Sequence, residues 1–230
     1  MKTVLVTGST GAIGEAIARY FHENGYFVYL HYRSQERKAL ELKNELKNSE
    51  VVCFDILDKS EINQKLENLE IDVLVNNAGI TKDKLFFWME DDDWNDVINT
   101  SVNGTYNVTK AVIKNMIANK KGAIINVASV SGLVGNAGQT NYSAAKGAMI
   151  AFTKALSIEV ARYKIRVNAI APGLIESEMT KDLDLKTIKK DIPLKRIGKP
   201  EDVAESVFFL GDKASYITGE TLNISGGMVR

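Results

Sequence analysis

A serine, a tyrosine and a lysine held together can deliver a proton to a carbonyl oxygen, and this chain offers more than one place to assemble them. Tyr-x-x-x-Lys occurs twice, at Tyr106/Lys110 and at Tyr142/Lys146. Residues four apart share a helix face, so either pair can set an ammonium beside a phenol. Reduction of a ketone places negative charge on its oxygen, which calls for a proton donor and a second hydrogen-bond donor aimed at that atom. A free tyrosine has a pKa of about 10, and a nearby ammonium favours the phenolate and lowers it. Position separates the pairs. The run "AIINVASVSG" carries Ser129 out of the end of a buried strand, and the next helix begins near "TNYSAAKGAM". Ligand sites of open parallel sheets lie beyond the carboxyl ends of the strands. Ser129, Tyr142 and Lys146 are therefore the candidate catalytic set. Tyr106, flanked by Val102, Val108 and Val112 in a helical stretch after Trp94, reads as a packing residue whose hydroxyl finds a surface partner.

The elements that must position these groups follow from the apolar pattern. Runs such as "TVLVT", "YFVYLH", "VVCFD", "DVLVNN", "AIINVAS", "RVNAIAP" and "TLNIS" are apolar almost throughout, as strands buried on both faces are. Helical patterns separate them: Ile13, Ile17 and Phe21 at four-residue steps, "QERKALELKNELKN", and "KPEDVAESVFFL" with Pro200 at its start. The alternation predicts an α/β, doubly wound parallel sheet with helices on both faces. With 230 residues and no repeat or linker, the expectation is a single Rossmann-like domain over 1–230. Basic and acidic residues balance at 29 each, so no overall field draws the chain to nucleic acid or an anionic membrane. The one cysteine, Cys53 in "VVCFD", is expected to be a buried thiol, and His22 and His31 supply no metal-ligand spacing. No charged leader or membrane-length apolar run is visible, so the expectation is a cytoplasmic protein.

The first strand runs into "TGSTGAIG", where Gly8, Gly11 and Gly14 fall three apart at a strand-to-helix turn. Glycines there let backbone N–H groups approach a pyrophosphate. About 20 residues further on, where a ribose-binding acid would favour NAD, the chain reads "LHYRSQER". Arg33 and Ser34 can bind a 2′-phosphate that a carboxylate would repel, so NADP(H) is the expected cofactor.

Together the glycine turn, "NNAG" at 76–79, Ser129, "YSAAK", "APG" at 171–173 and "YITGETLNISGG" resemble the short-chain dehydrogenase/reductase family across essentially the whole chain. The stretches "NNAGITKDKLFFWMEDDDWNDVI", "GNAGQTNYSAAKGA" and "APGLIESEMT" look closer still to members that reduce 3-oxoacyl thioesters on acyl carrier protein. The resemblance implies about seven strands, a homotetramer, and NADPH-dependent formation of a 3-hydroxyacyl product in fatty-acid-type biosynthesis. It extends the cofactor contacts over Gly8, Ser9, Thr10, Gly11, Ile13 and Gly14, then Asp55 and Ile56 at the adenine. Asn76, Ala78 and Gly79 would lie along the cofactor; Tyr142, Lys146, Pro172, Gly173, Ile175 and Ser177 would surround the nicotinamide end. Asp55 could equally cap the helix that follows it.

In one place the chain departs from the family. A catalytic Asn usually opens an Asn-apolar-x-Gly stretch, where this sequence reads "SVNG", so Ser101 takes that position. A hydroxyl is shorter than a carboxamide and offers one donor where the amide offers two. Asn103, two residues on, points elsewhere on a helix. Other carbonyl substrates stay open, among them acetoacetyl-CoA, a polyketide intermediate, a sugar or an alcohol, since fold does not fix substrate. A non-catalytic NADP-binding subunit is the further alternative. Lys120, Lys121, Arg162 and Lys164 are candidate docking residues for an acidic carrier protein, and 180–199 reads as a substrate lid or an amphipathic helix.

Overall fold

The computed structural model describes residues 1–177, 180 and 185–229. Seven strands are described: β1 (Thr3–Val6), β2 (Phe27–Tyr32), β3 (Ser49–Cys53), β4 (Val73–Asn76), β5 (Gly122–Val127), β6 (Ile165–Pro172) and β7 (Thr221–Ile224). They form one sheet in the order β3-β2-β1-β4-β5-β6-β7, every neighbouring pair parallel. Strand order reverses between β1 and β4, where a crevice opens at the carboxyl edge.

The central strands are apolar on both faces because each face meets a helical layer. Val4 and Val6, Val73 and Val75, and Ala123, Ile125 and Val127 pack with α1 (Ala12–Glu23), α2 (Glu36–Glu45) and α9 (Pro200–Phe208). The alternate residues Leu5, Leu74 and Ile124 pack with α3 (Lys59–Leu66), α5 (Gly104–Asn119) and the end of α7 (Thr140–Val160). α4 (Asp91–Ile98), the one-turn α6 (Ser131–Val134) and α8 (Leu185–Asp191) complete the described helices. Between α4 and α5, residues Asn99–Asn103 wind as a π-helical turn, a local form that often marks a functional site. Pro200 opens α9 as expected, where its missing N–H costs nothing. Among the described residues no helix is long and apolar enough to cross a membrane.

Three sequence expectations need correction. Cys53 is exposed rather than buried: β3 is an edge strand, and its alternation turns Val52 inward and Cys53 out. Tyr106 is 46% exposed on the outside of α5 beside the Lys59 ammonium, while Val108 and Val112 do the packing. The basic residues offered as a docking patch stand at the wrong edge. Lys120 and Lys121 precede β5 and Arg162 and Lys164 precede β6, whereas Ser129 follows β5. Six residues of parallel strand separate the two edges by about 20 Å. Lys121, moreover, pairs with Asp72 at 2.5 Å.

Candidate active site

The carboxyl edge at the crevice is built by turns that the side chains hold from beneath. Thr7 Oγ1, at the end of β1, accepts from the backbone N–H groups of Asn77 (2.9 Å) and Ala78 (3.0 Å), stitching β1 to β4 where the strand order reverses. The Asn77 amide donates to the carbonyls of Thr7 (3.0 Å) and Gly8 (3.1 Å). Gly8 has φ +64°, and a Cβ there would meet Ala78 Cα at 3.0 Å, so this position requires glycine. α1 begins directly after Gly11, and its N-terminus opens into a cleft of about 450 Å³.

That cleft runs from the glycine turn to the Ser-Tyr-Lys set. Gly8, Thr10, Gly11, Ile13 and Gly14 line one end with Arg33, Ser34 and Ile56. Ala78 and Gly79 line the middle, and Ser129, Tyr142, Lys146, Pro172, Gly173, Ile175 and Ser177 the other end. The shape and donors fit a dinucleotide phosphate: a helix N-terminus with side-chain-free backbone faces the cleft, and a guanidinium stands at its far corner.

Four expected site residues lie outside this wall. Ser9 is fully buried, its hydroxyl donating to the His31 carbonyl at 3.0 Å. Asn76 is 2% exposed and donates to Asn126 Oδ1 (2.9 Å) and Thr109 Oγ1 (3.0 Å), so it ties β4 to β5 and α5 beneath the cleft; Asn77 is the neighbour that reaches its wall. Asp55 stands beside the cleft-lining Ile56, accepts from the Leu57 N–H at 2.9 Å and pairs with Arg33 at 3.9 Å. It does not cap α3, a role taken by Asp58, which accepts from Ser60 and Glu61. Ser101 lies just behind the wall. Its Oγ is buried with no hydrogen-bond partner in the protein, and a Cβ on Gly79 would stand 3.8 Å from that oxygen and 3.5 Å from Lys146 Nζ. Asn103 is exposed and donates to Asn99 at 2.7 Å, away from the site.

The start of α7 is held by Asn141, fully buried, whose amide donates to the carbonyls of Lys82 (3.0 Å) and Asp93 (2.9 Å). This sets Tyr142 over Ser129, which follows β5. Burial pushes the Tyr142 phenol above its ordinary value, while the Ser129 hydroxyl, hydrogen-bonded to it, works the other way. Lys146 is 4% exposed and donates to the Val127 carbonyl at 2.8 Å. Burial lowers its pKa to about 8. The sequence led to the expectation that the Lys146 ammonium would lower the phenol's pKa, and the structure shows it raised. In the structure Nζ is turned to Val127 and sits 5.4 Å from the Tyr142 ring centroid, so desolvation dominates instead.

Sequence reasoning missed His31 as a cleft residue, having weighed it only as a metal ligand; it lines the nucleotide end from beneath. No spacing signal marks it, because its role depends on two neighbouring strands. Of the expected lid over 180–199, residues 181–184 lie outside the described residues; beyond α8, Ile192 and Ile197 are buried and Leu194 N–H donates to the Gly226 carbonyl at 3.1 Å.

The sequence profile of the family described as "Enoyl-(Acyl carrier protein) reductase" matches residues 8–229. The chain is 43% identical over 237 residues to a 3-oxoacyl-[acyl-carrier-protein] reductase FabG of Vibrio harveyi, with 99% of this chain and 97% of that one covered. A protein of the same name from Chlamydia trachomatis is 44% identical over 242 residues, at 99% and 97% coverage. Another, from Rickettsia typhi, is 45% identical over 234 residues, again at 99% and 97%. Likeness of this extent, on a sheet that brings the glycine turn and the Ser-Tyr-Lys set into one cleft, means that the chain belongs to the short-chain dehydrogenase/reductase family.

Proposed function

We propose that the protein is an NADPH-dependent reductase of 3-oxoacyl thioesters carried by acyl carrier protein. The observation that carries this reading is the meeting of Ser129, Tyr142 and Lys146 at one end of a cleft whose other end is a phosphate-ready glycine turn. The names of relatives at 43–45% identity support the substrate class. When bound, NADPH supplies the hydride that reduces the 3-oxo carbon. Tyr142 donates the proton to the developing alkoxide and Ser129 gives that oxygen its second hydrogen bond. Lys146 holds positive charge beneath the site and favours the phenolate that forms as the proton leaves. Gly8, Thr10, Gly11, Ile13 and Gly14 would seat the pyrophosphate, and Arg33 with Ser34 the 2′-phosphate. Asp55 and Ile56 would border the adenine. A cytoplasmic homotetramer of single-domain chains completes the reading; exposed apolar side chains such as Ile158 on α7 and Tyr216 support subunit contacts.

The deciding experiment is NADPH consumption with an acetoacetyl group on acyl carrier protein, on coenzyme A, and with unrelated ketones. Turnover fastest on the carrier-bound thioester upholds the reading. Faster turnover of another carbonyl would replace the substrate, and NADPH binding without any turnover would point to a non-catalytic subunit.

Two variants probe the site's ends. Arg33→Ala is expected to weaken NADPH by about 10–100-fold, the worth of a charge-assisted hydrogen bond, and to leave NADH unchanged in paired titrations. Equal loss for both cofactors would remove Arg33 from the 2′-phosphate. Ser101 we place in the proton path beside Lys146. Ser101→Ala should lower kcat by about three- to tenfold with NADPH affinity intact, the loss expected for one modest hydrogen bond. An unchanged kcat would make Ser101 a packing residue.

A further inference from the structure

His31 sits near the end of β2, directly beneath the glycine turn, and touches it in three ways. Its backbone carbonyl accepts from the Ser9 N–H (2.9 Å) and the Ser9 hydroxyl (3.0 Å). Its ring Nδ1 accepts from the Gly8 N–H at 3.0 Å. The other ring nitrogen, Nε2, donates to the Phe54 carbonyl at 3.0 Å, and the Phe54 ring lies 4.1 Å from the imidazole, centroid to centroid. An acceptor role at Nδ1 and a donor role at Nε2 define one neutral tautomer. His31 is 2% exposed, and burial holds its pKa down at about 4, so the ring stays neutral at physiological pH.

The consequence lies in the Gly8 peptide groups. Gly8 N–H is held by His31 from the β2 side, and Gly8 C=O by the Asn77 amide from the β4 side. Gly8 is at φ +64°, a conformation with unusual freedom to turn, and Gly11 N–H closes onto the same carbonyl at 3.2 Å. Two side chains from opposite sides therefore add to the backbone bonds of Ser9 and Gly11 in fixing the turn. Without the Nδ1 acceptor, a part-buried N–H loses its partner, and the turn loses its hold from the β2 side chain.

We propose that His31 is a positioning residue for the cofactor, presenting the Gly8–Gly11 backbone to the pyrophosphate through its Nδ1 acceptor. The inference rests on the reading of this cleft as the NADPH site.

Substitutions separate the two ring nitrogens. Asn places an acceptor oxygen at the δ position and can keep the Gly8 contact. Gln places its amide one atom further out, where it can serve Phe54 but not Gly8. His31→Leu serves neither. Fluorescence titration of each purified protein with NADPH, with thermal melting alongside, is the test. His31→Asn should bind within about threefold of wild type, and His31→Gln and His31→Leu about tenfold more weakly, as loss of one part-buried hydrogen bond implies. Should His31→Leu fail to fold, the ranking of Asn above Gln still decides. A purely structural role would lower both melting temperatures without that ranking. Equal affinity in Asn and Gln variants, or the reverse order, overturns the proposal. Failure of the wild-type protein to bind NADPH would instead overturn the cofactor reading, and this inference with it.

Discussion

Tyr142→Phe should reduce turnover by about 10²–10⁴-fold, the contribution of a positioned general acid, while NADPH affinity stays within about twofold. The phenol oxygen is the only atom lost, and it is the one that Ser129 meets. Because burial raises the phenol's pKa, Tyr142 keeps its proton at neutral pH and remains able to donate it. The pH profile gives an independent sign. Burial lowers the Lys146 pKa to about 8, so the ammonium is present below that pH and lost above it. In the wild-type protein kcat/KM should fall as pH rises through about 8, since that ratio reports groups of the free enzyme. Lys146→Met should be slow at every pH and lack that break. A Tyr142→Phe protein that keeps more than about a tenth of wild-type turnover would show that another group supplies the proton.

The second large effect is expected at Gly14. A Cβ there would stand 2.2 Å from the Gly8 carbonyl oxygen and 2.7 Å from the Asn77 amide nitrogen. The first is backbone of the glycine turn and the second is the side chain that secures it, so neither can yield without disturbing the cofactor end. Overpacking of this kind costs about 1–3 kcal/mol, and Gly14→Ala should lower Tm by about 5 °C and weaken NADPH by at least about tenfold. Gly11 is the internal control. A Cβ at Gly11 would meet only the Gly8 carbonyl at 3.6 Å, an ordinary contact, yet it would project at the mouth of the α1 N-terminus. Gly11→Ala should therefore keep its Tm and lose NADPH affinity. If the two variants melt alike and bind alike, the close α1–turn contact is not what shapes the cleft.

Much of this molecule was legible in one dimension. The seven apolar runs all became strands: the central ones are covered on both faces and have no polar side to show, and the edge strands β3 and β7 keep the apolar run although they are partly exposed. Ser129, Tyr142 and Lys146 were separable from Tyr106 and Lys110 because Ser129 leaves the carboxyl end of β5 just before the helix that carries Tyr142 and Lys146, and all three line the cleft while Tyr106 and Lys110 do not. Local order along the chain thus determined the fold class, the edge that carries the candidate site and the Ser-Tyr-Lys residues that line one end of its cleft. Tertiary structure decided what depends on neighbours from distant segments. Adjacent residues of one strand face opposite ways, so which of Asn76 and Asn77 enters the cleft was settled by the ends of β1 and β5, not by the motif. The edge position of β3 exposed Cys53, and the shared direction of β5 and β6 carried the four basic residues to the far side. His31 became a support for the glycine turn only because β2 lies against β1, bringing together groups 23 residues apart. Periodicity reports which face of its own element a residue occupies; the partner that face meets is chosen by the packing of the whole sheet.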